Sequence, residues 1–160
     1  INVDESIGAP SSFLYTNLTG TYNVLEGVRE QGCRLIYAST CEVYGSVGPT
    51  PAGEEAALRP HSPYAASKAG LVQLTKSLAV AWAKDNIQVN AVLPGWFVTD
   101  LTRGIPEADP DRYDNINRRI PTGRWGEPSE LGGAAVFLAS AASDYVTGAT
   151  LTVDGGYSSA

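Results

Sequence analysis

The feature that most constrains the fold is an alternation of helical and strand-like segments along the chain. Apolar residues at spacings of three and four predict an amphipathic helix over 11–30: Leu14, Leu18, Tyr22, Leu25 and Val28. Further helices are expected from Pro63 to about Lys84 and from Glu127-Pro128 onward. Three short apolar runs, at 34–38, 87–93 and 149–153, predict buried strands. This order indicates an α/β fold with a parallel sheet.

Composition narrows the class of protein. The 160 residues fit one domain with a real core, and 43% hydrophobic with 18% charged residues is typical of a globular chain. A net charge of -6 argues against a surface for nucleic acid or anionic membrane. No apolar run approaches the roughly 18 residues that a membrane span needs. We therefore expect a cytoplasmic protein with a small-molecule substrate, no nucleic-acid or membrane partner and no metal site.

The candidate chemistry lies at the start of the central helix, where Tyr64 and Lys68 are four residues apart and share one face. At roughly 4 Å and an effective dielectric of about 20, an ammonium attracts a phenolate by about 4 kcal/mol. That attraction is worth about three pKa units, enough to bring a tyrosine near neutrality as a proton-transfer group. The inward stripe of the same helix points back to both residues: Leu71, Leu74, Leu78 and Trp82. We therefore expect Tyr64 and Lys68 to face a cleft.

A thiol mechanism is the rival that the residue types suggest. Cys41 and His61 could in principle form a nucleophile and its base. No fixed spacing supports the pair, and His61 lies in a proline-rich loop, so we expect His61 and Glu42 to be surface residues.

Several segments, in the same order, resemble the short-chain dehydrogenase/reductase family. Tyr64-x-x-x-Lys68 matches its catalytic pair, Asn17 in T-N-L-T-G-T its helix asparagine, and Thr40, with Ser39 as the alternative, its hydroxyl residue. The remaining matches follow the central helix: N-A-V-L-P-G at 90–95 with Thr99, R-W-G-E-P at 124–128, F-L-A-S at 137–140 and V-D-G-G at 153–156.

The resemblance implies a role for each matching residue. Tyr64 would be the general acid/base, Lys68 would bind the nicotinamide ribose and lower the tyrosine pKa, and Thr40 would hydrogen-bond the substrate oxygen. Asn17 would hold a water that links the lysine to solvent. The cofactor, NAD or NADP, would be lined by Tyr64, Lys68 and the segment after the second strand: Pro94, Gly95, the Phe97 backbone and Thr99.

The resemblance also implies a partial domain. No G-x-G-x-x-G follows a strand, although the family holds the cofactor pyrophosphate with that loop. Residues 1–160 would therefore form a single partial Rossmann-type domain, the C-terminal half of a doubly wound parallel sheet with three strands. We expect such a chain to bind cofactor weakly or not at all, and we expect substrate choice to lie in a mobile segment over 98–120 with Trp96, Phe97 and Tyr113 as apolar contacts.

The two parts of the chain resemble different branches of the family. The first seventy residues, with S-T-C-E-V-Y-G from Ser39, resemble the extended branch that acts on nucleotide sugars. The chain from Ala69 onward resembles the compact alcohol and sugar dehydrogenases. The first interpretation is an NAD(P)-dependent oxidoreductase that interconverts an alcohol, such as a sugar or polyol, and a ketone. A nucleotide-sugar epimerase or dehydratase is the second, although dehydratases carry aspartate where this chain has Cys41. The third is a truncated module without catalysis. A homo-oligomer is expected, because small residues such as Ala69 and Gly70 permit close helix approach.

Overall fold

The structure is a computed structural model that describes residues 3–45 and 58–159, so the loop predicted at 45–53 lies almost wholly outside the described residues. The α-helices are α1 (Val3–Gly8), α2 (Pro10–Leu14), α3 (Gly20–Gln31), α4 (Pro63–Trp82), α5 (Ile105–Ala108), α6 (Pro110–Asn117) and α7 (Gly132–Ala139). The strands are β1 (Leu35–Ala38), β2 (Val89–Pro94) and β3 (Thr150–Val153).

The three strands form one parallel sheet in the order β1-β2-β3. Leu35 is in register with Val89, and Ala91 with Thr150, so the carboxyl ends of the strands lie at the same edge. β2, at the centre, is buried along nearly its whole length, as expected of a strand covered on both faces. The predicted α/β fold with a parallel sheet is confirmed.

The predicted helix over 11–30 is present but is not one regular helix. α2 and α3 are joined by a π-helical turn over Tyr15–Thr19, and α3 ends at Gly32, whose φ of 60° forms a left-handed C-cap. A π-turn accommodates one extra residue and often occurs at functional sites. Sequence analysis did not predict α1, which packs against α2 and α4.

The central helix α4 begins as the sequence predicts. The Ser62 hydroxyl accepts a hydrogen bond from the Ala65 N–H at 3.1 Å, and Pro63 occupies the first turn. α4 ends at Trp82 and is extended by a 3₁₀ turn over Ala83–Asp85. Its buried face is broader than the predicted stripe and consists of small and β-branched residues together with Leu71: Ala65, Ser67, Ala69, Val72, Thr75 and Ala79.

Arg34 ties the start of β1 to the end of α7. Its guanidinium donates to the carbonyls of Leu138 and Ser140 at 3.0 and 2.7 Å and pairs with Asp144 at 2.9 Å. A cation at a helix C-terminus stabilises the unpaired carbonyls there. The contact therefore fixes α7 on the sheet.

The segment over 98–120 forms the short helices that were predicted, α5 and α6. The Asp109 carboxylate caps α6 by accepting from the Arg112 N–H at 3.1 Å. Ile116 and Ile120 then pack with Cys41, Trp125 and Tyr157 in a cluster near the carboxyl edge of the sheet. Mobility of this segment stays a prediction.

We predict that Ser62→Ala lowers the free energy of unfolding by about 1 kcal/mol, because it removes the N-cap of α4. Urea denaturation monitored by circular dichroism measures the change. Ser77→Ala is the control, since Ser77 lies exposed within α4, where alanine has the higher helix propensity. Equal destabilisation by both substitutions would contradict the capping role.

Candidate active site

Tyr64 and Thr40 meet at the carboxyl edge of the sheet. Thr40 directly follows β1 and caps a 3₁₀ turn over Cys41–Tyr44, where its hydroxyl oxygen accepts from the Glu42 N–H at 3.3 Å. Tyr64 lies in the first turn of α4, and its phenol is near enough to the Thr40 side chain for that hydroxyl to favour the phenolate. The phenol and the hydroxyl that the sequence predicts as partners are therefore brought together.

The expected lowering of the Tyr64 pKa is wrong for this structure. Burial raises the pKa of Tyr64, the Thr40 hydroxyl opposes that rise, and the negative charge of Glu42 adds to it. The hydrogen bonds of the Lys68 ammonium go to the Tyr37 hydroxyl and the Ala38 carbonyl. The phenol of the described chain is thus held in its protonated form, as a proton donor.

Lys68 is anchored to the end of β1. Its Nζ donates to the Tyr37 hydroxyl at 3.0 Å and to the Ala38 carbonyl at 3.1 Å. An ammonium has three N–H donors, and the third has no acceptor within the described chain. One donor therefore stays available to a ligand.

The Asn17 side chain reaches α4 but contacts a different residue from the one expected. Asn17 lies in the π-helical turn, and its Nδ2 donates to the Ser67 hydroxyl at 2.8 Å, which in turn donates to the Tyr64 carbonyl at 2.7 Å. Ser39 Oγ donates to the Lys68 carbonyl at 3.1 Å, so this hydroxyl is used to hold α4 on β1. The water proposed between Asn17 and the lysine stays a prediction.

The segment after β2 is a turn whose polar groups are already paired. The Gly95 N–H donates to the Val153 carbonyl at 2.9 Å, and a Cβ at Gly95 would lie 2.5 Å from that of Asp154. Thr102 accepts from the Thr99 N–H at 2.9 Å and donates to the Phe97 carbonyl. Contact of Pro94, Gly95, Phe97 and Thr99 with a cofactor stays a prediction.

The three aromatic side chains expected to contact substrate pack against neighbouring residues and also line cavities. Trp96 and Tyr113 lie against Trp125, with ring centroids 5.3 and 5.1 Å apart, and Phe97 is buried against Gly126. Trp96 and Phe97 line a small cavity of about 120 Å³, and Tyr113 lines the cavity formed by the 98–113 segment. Their contact with substrate stays a prediction.

Two larger cavities lie near these elements. The cavity beside the candidate site, of about 140 Å³, is flanked by Ser62 and Ala65 of the α4 start and lined by the polar side chains of Glu42, His61 and Arg119. A larger one of about 490 Å³ lies between the 98–113 segment and residues 124–130, and none of the predicted catalytic residues lines it.

The thiol alternative has no support in the structure. Cys41 is buried, and burial together with the neighbouring Glu42 raises its pKa to about 12, so the thiol stays protonated. His61 is exposed, as expected. Glu42 is half-buried rather than a surface residue; burial raises its pKa, and the charges of Arg119 and Arg112 oppose the rise.

Sequence reasoning missed four residues that hold the site. Ser6 is fully buried and accepts from the Tyr64 N–H at 3.3 Å, while Tyr37, Ser67 and Thr102 make the contacts given above. Only Ser67 had an available signal, because a serine beside the dyad on the inward side of a helix is unusual. The others are contacts between segments far apart in sequence.

Comparison with known proteins places the chain among oxidoreductases. The family model described as enoyl-(acyl carrier protein) reductase matches residues 14–158. The 2-dehydro-3-deoxy-D-gluconate 5-dehydrogenase of Dickeya dadantii is 54% identical over 94 residues, which are 59% of this chain and 37% of that protein. The galactitol 2-dehydrogenase (L-tagatose-forming) of Cereibacter sphaeroides is 49% identical over 96 residues, 60% of this chain and 37% of that protein.

Solved structures show the same relationship. A gluconate 5-dehydrogenase from Burkholderia cenocepacia J2315, in complex with NADP and tartrate, is 41% identical with a TM-score of 0.74. The alignment covers 90% of this chain and 54% of that one. The chain thus spans little more than a third of the length of the curated relatives and about half that of the solved structure.

None of the helices in residues 3–45 and 58–159 combines the length and the hydropathy that crossing a bilayer requires. Within the same residues, no group of three or more His, Cys, Asp or Glu side chains is placed to hold a metal ion.

We predict that the Tyr64 phenol ionises above its ordinary pKa of 10.0, because burial disfavours the phenolate. The test is the absorbance at 295 nm of the wild type minus that of Tyr64→Phe, recorded against pH. The absorbance difference should appear above pH 10. The contribution of the buried neutral phenol to the free energy of unfolding should be lost only as pH rises through that transition.

Tyr145→Phe is the matched control, since it also removes one phenol but at a fully exposed position. A Tyr64 transition near pH 7 would restore the original expectation that Lys68 lowers its pKa.

Proposed function

The chain belongs to the short-chain dehydrogenase/reductase family, and from that premise we propose that it interconverts an alcohol and a ketone with NAD or NADP. The observation that carries the proposal is that the Thr40 hydroxyl acts on the Tyr64 phenol, one helical turn from Lys68. These are the groups needed to hold a substrate oxygen and move its proton.

Tyr64 is the general acid/base of the proposal. Its phenol gives a proton to a carbonyl oxygen in reduction and takes one from a hydroxyl in oxidation. Because Thr40 accepts from the Glu42 N–H, its own proton is free to donate, either to the phenolate or to the substrate oxygen. The raised pKa of Tyr64 suits the reductive direction, in which the phenol must begin protonated.

The donor set fits the nicotinamide-ribose end of the cofactor. Lys68 has one N–H free for a ribose hydroxyl. The Phe97 carbonyl and the Thr99 N–H are hydrogen-bonded to the Thr102 side chain, and they would have to give up that partner to bind the nicotinamide carboxamide. When bound, NAD or NADP takes or supplies the hydride, which no side chain can do. The NADP in the Burkholderia relative supports the assignment.

The substrate class that we propose is a sugar acid or polyol. The relatives are named for gluconate derivatives and galactitol, and the solved relative holds tartrate, a hydroxy acid. The 140 Å³ cavity beside the start of α4 supports the same substrate class. Each hydroxyl of a polyol both donates and accepts hydrogen bonds, and the cavity is lined by Glu42, which can accept, and by Arg119, which can donate. No observation favours nucleotide-sugar chemistry, since a Cys41 thiol whose pKa is raised to about 12 is too weak an acid to replace the aspartate of a dehydratase.

The test is a spectrophotometric assay of the purified protein at 340 nm. Reduction is followed with NADH and NADPH on 5-keto-D-gluconate, and oxidation with NAD⁺ and NADP⁺ on galactitol. Tyr64→Phe should lower turnover at least a hundredfold, because general acid/base catalysis contributes about that much or more. Cofactor binding, followed by NADPH fluorescence, should be nearly unchanged.

Tyr145→Phe is the matched control, since Tyr145 is fully exposed and lines none of the cavities described above. Turnover that survives in Tyr64→Phe would contradict the assignment of Tyr64. Wild-type protein without turnover on both substrates would contradict the proposed function.

We further propose that the protein is a cytoplasmic homo-oligomer. Apolar side chains are exposed along α2, the π-turn and α3, and they suit contact with a second copy: Leu14, Tyr15, Leu18, Tyr22 and Val24. Sedimentation equilibrium should give a mass above the 16.8 kDa of one chain. Tyr22→Glu should shift the protein toward monomer, whereas Tyr145→Glu on a different exposed surface should not; a monomeric wild type would contradict this proposal.

A further inference from the structure

The end of β1 binds the Lys68 ammonium through two hydrogen-bond acceptors. Tyr37 supplies its hydroxyl, at 3.0 Å from Nζ, and Ala38 supplies its backbone carbonyl, at 3.1 Å. The side chains of adjacent strand residues point to opposite faces of a sheet, so two neighbouring side chains could not both reach one ammonium. Here Tyr37 contributes its side chain and Ala38 its backbone carbonyl, and both acceptors reach Lys68.

The contact between Lys68 and Tyr37 is chiefly a hydrogen bond. Nζ is 4.9 Å from the centroid of the Tyr37 ring but only 3.0 Å from its hydroxyl oxygen, so the ammonium lies outward of the hydroxyl and not above the ring face. A cation that stacks on the ring would lose little if the hydroxyl were removed. The hydroxyl is therefore the group that matters, and Tyr37→Phe removes it while keeping the ring.

The two acceptors at the end of β1 determine the direction of the remaining N–H of Lys68. A lysine side chain has four rotatable bonds, and an unanchored ammonium samples many positions. Two acceptors fix the ammonium in one orientation, and its tetrahedral geometry then sets the direction of the third donor. A donor that is oriented before a ligand arrives costs less entropy on binding.

The Asn17 side chain does not fulfil this task in the described chain. Its Nδ2 is hydrogen-bonded to Ser67, and no direct hydrogen bond joins it to Lys68 there. Tyr37 is the one side chain that holds the ammonium among the described residues.

We propose that Tyr37 is a positioning residue for Lys68: its hydroxyl, with the Ala38 carbonyl, orients the ammonium so that one N–H is presented to the cofactor ribose. The role of the ribose rests on the proposed function, whereas the anchoring of the ammonium does not.

The anchoring is measured without activity. The chain has three lysines, Lys68, Lys76 and Lys84, so their side-chain ammonium signals are readily assigned by ¹⁵N NMR. Ammonium protons of Lys68 should exchange with water more slowly than those of the other two. In Tyr37→Phe the Lys68 exchange should accelerate about tenfold, because a hydrogen bond to a charged group is lost.

The positioning role is measured by a double-mutant cycle on NADPH affinity. Tyr37→Phe should weaken binding about tenfold in the wild type but have no further effect in a Lys68→Ala background. A residue that only supports the fold would weaken binding in both backgrounds. Tyr145→Phe is the control for loss of a phenol, and the urea midpoint confirms that each variant is folded.

The outcomes separate the two proposals. Lys68 exchange that does not change in Tyr37→Phe overturns the positioning role, and so does an equal loss of affinity in both backgrounds. Wild-type protein that binds neither NADH nor NADPH agrees with the expectation drawn from the lack of a G-x-G-x-x-G loop and contradicts the proposed function. The exchange measurement still decides whether Tyr37 holds Lys68.

Discussion

The close packing of α4 on the sheet is the contact on which the candidate site depends. Ala69 and Val72 of α4 lie against Ala91 and Leu93 of β2, and the small Ala69 side chain permits a short distance between helix and strand. The Lys68 side chain can then span the gap to Tyr37 on β1. A larger residue at position 69 would move the whole first turn of α4, and with it Tyr64, away from Thr40.

Electrostatics at the site reflect a competition between burial and hydrogen bonding. Burial raises the pKa of the Tyr64 phenol, and the Thr40 side chain offsets only part of that rise. Lys68 could offset more, but its charge is directed to Tyr37 and Ala38. The described arrangement is therefore a proton-donating one, and a ligand that draws Lys68 away from β1 would change the balance toward the phenolate.

Local patterns were sufficient for the fold, because each strand and long helix has its own periodicity and its own end signals. Pro63 marked the start of α4 correctly. The pairing of Thr40 with Tyr64 came from the family resemblance, and the structure gives its physical basis, since strand ends and helix starts meet at one edge of a parallel sheet. Local sequence patterns could not reveal that the Lys68 ammonium binds the Tyr37 hydroxyl. That contact depends on the distance between α4 and β1 and not on the spacing of residues along either element.

The π-helical turn over Tyr15–Thr19 has a consequence for how the first long helix can vary. One added residue rotates everything beyond it by about 100°. Phe13, before the turn, meets the Tyr64 ring edge-on with centroids 6.4 Å apart, while Leu25 and Val28, after it, enter the core. Deletion of a single residue from the π-helical turn would restore a regular helix. Either Phe13 would then lose its contact with Tyr64, or Leu25 and Val28 would no longer face the core.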